Sequence, residues 1–418
     1  MQLGWPYPKR VKFLQELAET KSGHTHGIRF QSKFQHMQIY RVPIELPKYR
    51  LKNGRTAAAQ IEYLATHSKI SRDIFQKDPE SEEAQRIQHE LLKQMVNDQG
   101  LFDYFKSGHE QELPFILTNT GFIVNGNRRV CAMRELLEED RKQYERFATV
   151  DIVILPQCSE QDIDWLEGKE QIHKDITADY SWVTTAVMYR TRMQEHNQDL
   201  EYVASLYEVK RPEISEMLDM LGHAETYLRD RGKEGQYSAV AGAEYAFRQL
   251  RKNRARVPGE SKKEVYDQLA YSLIDKPEGD RAYKSVADVA KYLDKVLDEI
   301  KTEFNLTVSS IKPTASSLLG GGPSAQVAAA LDILGDQKNR ERVREIVREV
   351  ITAETLKEQE AKAEDFVLLQ VRKANNALLD AKTGLKKGGT KEGVSSLLNE
   401  IENSIASIRK WANAKTVH

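Results

Sequence analysis

The sequence predicts an α+β domain in the N-terminal third, followed by all-α domains to the end of the chain. Three observations carry this. Period-two alternation of apolar and β-branched residues is confined to the first third and is clearest at Thr149-Val150-Asp151-Ile152-Val153-Ile154-Leu155, closed by Pro156. Helical spacing of apolar residues dominates everything after it. Between the two, Asp199–Leu221 reads as two amphipathic helices joined by a tight turn.

Composition bounds the classes. The chain has 418 residues, 62 basic against 63 acidic, with 40% hydrophobic and 30% charged side chains, which fits a charge-balanced, helix-rich protein of several domains. A net charge of -1 announces no polyanion partner, so basic faces have to be sought locally. Two cysteines, Cys131 and Cys158, exclude a disulfide scaffold and point to a reducing cytoplasm. The opening MQLGWPYPKRVKF lacks a signal-peptide core, and no run reaches the ~20 apolar residues of a membrane helix. A cytoplasmic protein with no membrane partner is expected.

Residues 1–37 read as an extension with one helical patch at Val11–Ala18; no Cys, His or carboxylate spacing accompanies His24 and His26 to make a metal site. The α+β domain runs over 38–158. Gln38–Ile44 alternates as a strand, and Leu46-Pro47-Lys48-Tyr49-Arg50 breaks it. Apolar spacing predicts helices at Thr56–His67 and Glu82–Asn97. Two short strands, Phe115–Thr118 and Phe122–Asn125, flank the turn Asn119-Thr120-Gly121, and the second leads into Gly126-Asn127-Arg128-Arg129 at the head of a helix carrying Ala132, Met133, Leu136 and Leu137. A helix N-terminus offers unpaired N–H groups and a positive dipole end, so a glycine followed by two arginines is a place to hold a phosphate.

Gly126-Asn127-Arg128-Arg129-Val130-Cys131-Ala132 resembles the Gly-Glu-Arg-Arg-x-x-Ala signature of the ParB/sulfiredoxin-like superfamily. The resemblance covers roughly residues 38–225 and implies a pocket for a nucleoside triphosphate, CTP or ATP with Mg²⁺. It implies phosphate contacts at Arg50, Lys52 and Arg55 as well as at Gly126, Asn127, Arg128 and Arg129. Glu170-Gln171 followed by Lys174 is similar to the family's Glu-Asn-x-x-Arg pattern, which makes Glu170 the implied metal ligand and Gln171 its amide companion. Asn127 stands where ParB-type proteins have Glu and sulfiredoxins their reactive Cys. Binding with weak or no turnover is therefore implied, and thiol chemistry is not.

A helix-turn-helix domain is expected over 159–257. Asp199 caps the first helix, Leu200, Val203, Ala204 and Leu206 pack it, and Pro212 opens the second, held by Ile214, Met217, Leu218 and Leu221. Its free face carries Lys210, Arg211 and Ser215 toward a DNA major groove, diluted by Glu213, Glu216 and Asp219. The most basic run, Arg248 to Arg256, with Arg248, Arg251, Lys252 and Arg254, fits a phosphate-tracking edge beside it. Residues 258–418 read as helices with a hinge near 308–323. An apolar stripe, Val394, Leu397, Leu398, Ile401, Ile405, Ile408 and Trp411, is expected to pack against Phe366, Leu369, Val371, Leu378 and Leu379 as an αα-hairpin. By the resemblance, this region is also where a homodimer would form. Two functions follow: a ParB-type protein that binds duplex DNA under a triphosphate switch, in partition, regulation or phage defence; or an enzyme, a nucleotide hydrolase or DNA nuclease, with a helical partner scaffold.

Overall fold

The computed structural model describes residues 2–31, 33–98, 100–172, 181–195, 199–276, 282–306, 325–385 and 391–413. Its sheet has six strands: β1 (Thr25–Phe30), β2 (Lys33–Pro43), β3 (Lys48–Tyr49), β4 (Phe115–Leu117), β5 (Phe122–Asn125) and β6 (Thr149–Ile154), in the spatial order β1-β2-β6-β4-β5-β3. β2 runs antiparallel to β1 and β6, β4 antiparallel to β5, and the β4–β6 and β3–β5 pairs are parallel.

Alternation along the strands divides the core in two. Phe115, Leu117, Ile123, Val150 and Ile152 face helices α1 (Tyr7–Ala18), α4 (Glu82–Asp98), α5 (Leu101–Lys106) and α6 (Asn127–Glu139); α2 (Ala57–Thr66) and α3 (Ile74–Lys77) lie in sequence between β3 and α4. Ile116, Val124 and Val153 face the other way, onto Ile163 and Leu166 of α7 (Glu160–Ile172). Residues 1–37, set apart in the sequence as an extension, supply α1 and the edge strand β1. Arg10 of α1 is fully buried, donating to the carbonyl oxygens of Trp5 (2.6 Å) and Thr120 (2.7 Å) and pairing with Glu80. β1 escapes a pattern search because Gly27 stands among its outward positions and His26 among its inward ones, so that only Ile28-Arg29-Phe30 alternates.

Inside this core a polar cluster sits among apolar neighbours. The Tyr49 hydroxyl lies 2.9 Å from His89 Nδ1, His89 Nε2 lies 2.7 Å from Glu135, and the Cys131 thiol donates to the His89 carbonyl at 3.7 Å. Burial pushes the Cys131 thiol up to about 12 and holds His89 below its ordinary value against the pull of Glu135.

The helices that follow are α8 (Trp182–Glu195), α9 (Leu200–Tyr207), α10 (Arg211–Asp230), α11 (Glu244–Arg254), α12 (Glu260–Ile274), α13 (Ala282–Lys291), α14 (Leu293–Glu303), α15 (Ala325–Gly335), α16 (Arg340–Gly384) and α17 (Val394–Asn413). The Asp199 carboxylate accepts the Tyr202 N–H at 2.7 Å and so caps α9. The turn to α10 closes on Glu208, held in the left-handed region at φ 54°. Val203, Leu206, Tyr207, Ile214 and Met188 form the core of this helical group.

The chain forms two compact units, Met1–Val347 and Arg348–His418. In the second, Phe366, Leu369, Val371, Leu378 and Leu379 are exposed, and so are Val394, Leu397, Leu398, Ile405, Ile408 and Trp411. The expected hairpin core is therefore not closed among the described residues. α16 runs unbroken through Thr352-Ala353-Glu354, which holds no Gly or Pro to stop it. Residues 308–323, expected as a hinge, lie outside the described residues. No helix among the described residues is long and apolar enough to cross a membrane.

Candidate functional site

The signature stretch starts α6 as the sequence spacing requires. Gly126 adopts φ 112°, where L side chains are strained, and a Cβ there would sit 2.2 Å from Phe115 Cδ1. A glycine is thus fixed twice, by backbone and by space. Asn127, 5% exposed, donates Nδ2–H to the Ile123 carbonyl at 3.1 Å, while its Oδ1 is buried without a hydrogen-bond partner. That amide oxygen asks for a donor, and a carboxylate at this position would carry an uncompensated charge. Arg128 and Arg129 are half-buried in the first turn. Arg129 donates to the Leu113 carbonyl at 2.9 Å and lies 5.0 Å over the Phe115 ring, beside a hollow lined by Tyr104, Phe105 and Gln111.

Arg50 lies elsewhere. It is 6% exposed and faces α7, where its guanidinium meets Glu160 (2.7 Å), Asp164 (2.9 Å) and Glu167 (3.2 Å). Arg192 of α8 enters the same cage, pairing with Asp164 and, at 2.8 Å, with Glu167, while its Nε reaches the Tyr207 hydroxyl at 3.5 Å. Burial works against both cations, but Glu167 and Asp164, with Glu160 at Arg50 and Tyr207 at Arg192, outweigh it and raise both pKa values. Arg50 and Arg129 therefore serve opposite faces of the sheet and are not gathered into one cradle. Arg55 is half-buried, its N–H on Asn53 Oδ1, in a loop whose Gly54 backs onto Met188 and Arg192. Lys52 is exposed. The side chains of Glu170 and Gln171, and all of Lys174, lie outside the described residues. Among the described residues no cluster of His, Cys, Asp or Glu is suited to hold a metal ion.

Sequence reasoning missed Asp164, Glu167 and Arg192. Asp164 and Glu167, three residues apart on α7, share a helix face, but nothing local names their cationic partners.

On the helix pair, the cations selected for DNA mostly meet acids. Arg248 pairs with Glu216 (3.1 Å) and Glu244 (2.8 Å), Arg251 with Asp219 (3.0 Å), Arg254 with Asp267 (2.8 Å) and Glu260 (3.5 Å), and Arg211 with Glu201 (3.0 Å). Glu216 and Asp219 are spaced three apart on α10 and so are Arg248 and Arg251 on α11, which makes a ladder between the helices. Lys210 and Lys252 are exposed without an acidic partner among the described residues, and Ser215 is half-buried.

The ladder also sets a pH response. His223 of α10 is held down to about 4 by burial first, then by Arg254 and Arg251, with Asp219 opposing. The unfolded chain takes up a proton near pH 6.5 and the folded one resists until about 4, so stability is lost as pH falls through that window. Asp267, which burial pushes up to about 6 against Arg254, acts in the opposite sense between its unfolded value of 3.8 and that pH. His223→Gln is expected to lose less stability than wild type between pH 7 and 5, measured as the shift in urea midpoint; equal losses would remove His223 from the account.

Compared with known proteins, the chain matches no protein-family model and no curated relative.

Proposed function

We propose that this chain is a DNA-binding protein of ParB type, whose sheet domain binds a nucleoside triphosphate, CTP or ATP with Mg²⁺, and whose α9–α10 pair meets duplex DNA. The observation that carries the reading is the buried charge cage. It ties the Arg50 loop to α7, α8 and Tyr207 of α9, so any phosphate that draws Arg50 out of the cage changes what holds α8 and α9. Gly126 at the start of α6, followed by Arg128 and Arg129, supports the phosphate end. The capped α9, three-residue turn and Pro212 at the start of α10 support the DNA end. With Asn127 in place of a carboxylate, the nucleotide acts as a bound switch rather than a rapidly consumed substrate. A homodimer through α17 completes the reading: Val394, Leu398, Ile401, Ile405, Ile408 and Ala412 recur at alternating spacings of four and three, the seam of a coiled coil.

The test is calorimetry of Mg-CTP and Mg-ATP binding, with duplex binding measured with and without nucleotide. Arg128→Ala and Arg129→Ala are expected to weaken nucleotide binding about 10- to 100-fold, as loss of a charge-assisted contact does. Wild type that binds neither triphosphate nor duplex at moderate salt would overturn the proposal.

A further inference from the structure

Free positive charge also lies away from the helix pair, on the hairpin β1–β2. From Thr20 to Ile44 the sequence holds no Asp or Glu, although 63 of its 418 residues are acidic. The hairpin's rear residues, Ile28, Phe30, Met37 and Ile39, pack against the Ile163 and Leu166 side of α7. On the front, α1 ends over Tyr40, whose hydroxyl reaches the Thr20 carbonyl at 3.2 Å, and beyond that point the ribbon is uncovered.

The uncovered front has a definite layout. Arg29 stands directly opposite Phe34, and Gly27 opposite His36. Phe34 is 67% exposed, and the end of its ring reaches over Gly27, where a Cβ would come 2.4 Å from Cζ. His36 stands edge-on to that ring, centroids 5.2 Å apart at 88°. Arg29 is exposed on this front with no acidic partner among the described residues, whereas Lys33, opposite Phe30 at the tip, belongs to the other face; Asp162, on the helix behind, is held by Ser159. Arg41, further along β2, is already paired with Asp151. An aromatic over a strand glycine also shields backbone, but shielding alone does not account for the unpaired Arg29 and the absence of acids.

We propose that this hairpin face binds an unpaired nucleic-acid strand, with one base stacked on Phe34 and the neighbouring phosphate on Arg29. A ring this exposed offers a face to a splayed base, whereas bases in a duplex are already stacked on one another. A membrane or a protein core fits poorly, because Phe34 is the hairpin's single exposed large apolar residue among those described. The surface stands apart from α9–α10, and its fate does not depend on duplex binding there.

Fluorescence anisotropy on the full chain tests it, with labelled oligo-dT, oligo-rU and a duplex, each of about 15 nucleotides, at about 50 mM salt. Phe34→Ala is expected to weaken single-strand binding about 5- to 100-fold, the usual loss of a stacking platform, and to leave duplex binding unchanged. Phe34→Trp is expected to keep the affinity and gain an emission, over the wild-type background, that the oligomer quenches. Arg29→Glu is expected to reduce the slope of log affinity against log salt by about 0.7, as the removal of one phosphate contact does. Loss with either oligomer supports the proposal, and the dT and rU arms tell DNA from RNA. Absence of single-strand binding by wild type overturns it. So does wild-type affinity in both the Phe34→Ala and the charge-reversed variants, or a Phe34→Ala loss confined to the duplex.

Discussion

Arg192→Met is expected to destabilise the first unit by about 3–5 kcal/mol, the range for leaving buried charge uncompensated. Two carboxylates, Asp164 and Glu167, are 3% and 5% exposed and share two guanidinium groups. Removing one leaves Arg50 alone with three acids. Glu167 Oε1 already lacks a hydrogen-bond partner, so it has nowhere to turn. The measurement is the urea midpoint, read against the double variant Arg192→Met/Glu167→Gln, which takes one negative charge away and is expected to recover part of the loss. A single variant as stable as wild type would mean that water reaches the cage and screens it.

Leu398→Asp combined with Ile405→Asp is expected to abolish dimer formation in sedimentation velocity. Both positions lie on the four-three seam of α17, and both are exposed within their own unit, so the change removes nothing from the fold of a single chain. A seam of this kind closes only against another helix, and two carboxylates inside it have no partner for their charge. Helix content should fall as well, because a 20-residue helix with its apolar face in water is marginal alone. Wild type that sediments as a monomer would set the seam aside.

How much could be read in the sequence differs between fold and site. β6 was visible because Thr149–Ile154 is β-branched at every position but Asp151 and is soon followed by Pro156. The cap at Asp199 and the glycine before α6 were visible for the same reason: local backbone chemistry decides them. β1 was not visible, since an edge strand that covers its own glycine with a partner's ring obeys no pattern within itself. Charge pairing was the least legible. Arg248, Arg251 and Arg254 look in sequence like a free basic edge, yet their acids come from α10 and α12, and Arg50 looks free until α7 is folded against it. Which cation meets which acid is settled by packing between helices distant in sequence, and neither spacing nor composition records it.

Cys131 lends this core a use as a reporter. Its thiol is sealed beside His89 and Tyr49 and holds its proton far above neutral pH, whereas Cys158 is only half-buried. An alkylating reagent in modest excess therefore marks Cys158 first and reaches Cys131 only during the moments when the sheet unit opens. The rate of the second labelling is a clock for that opening, readable by mass in the intact protein without any engineered probe.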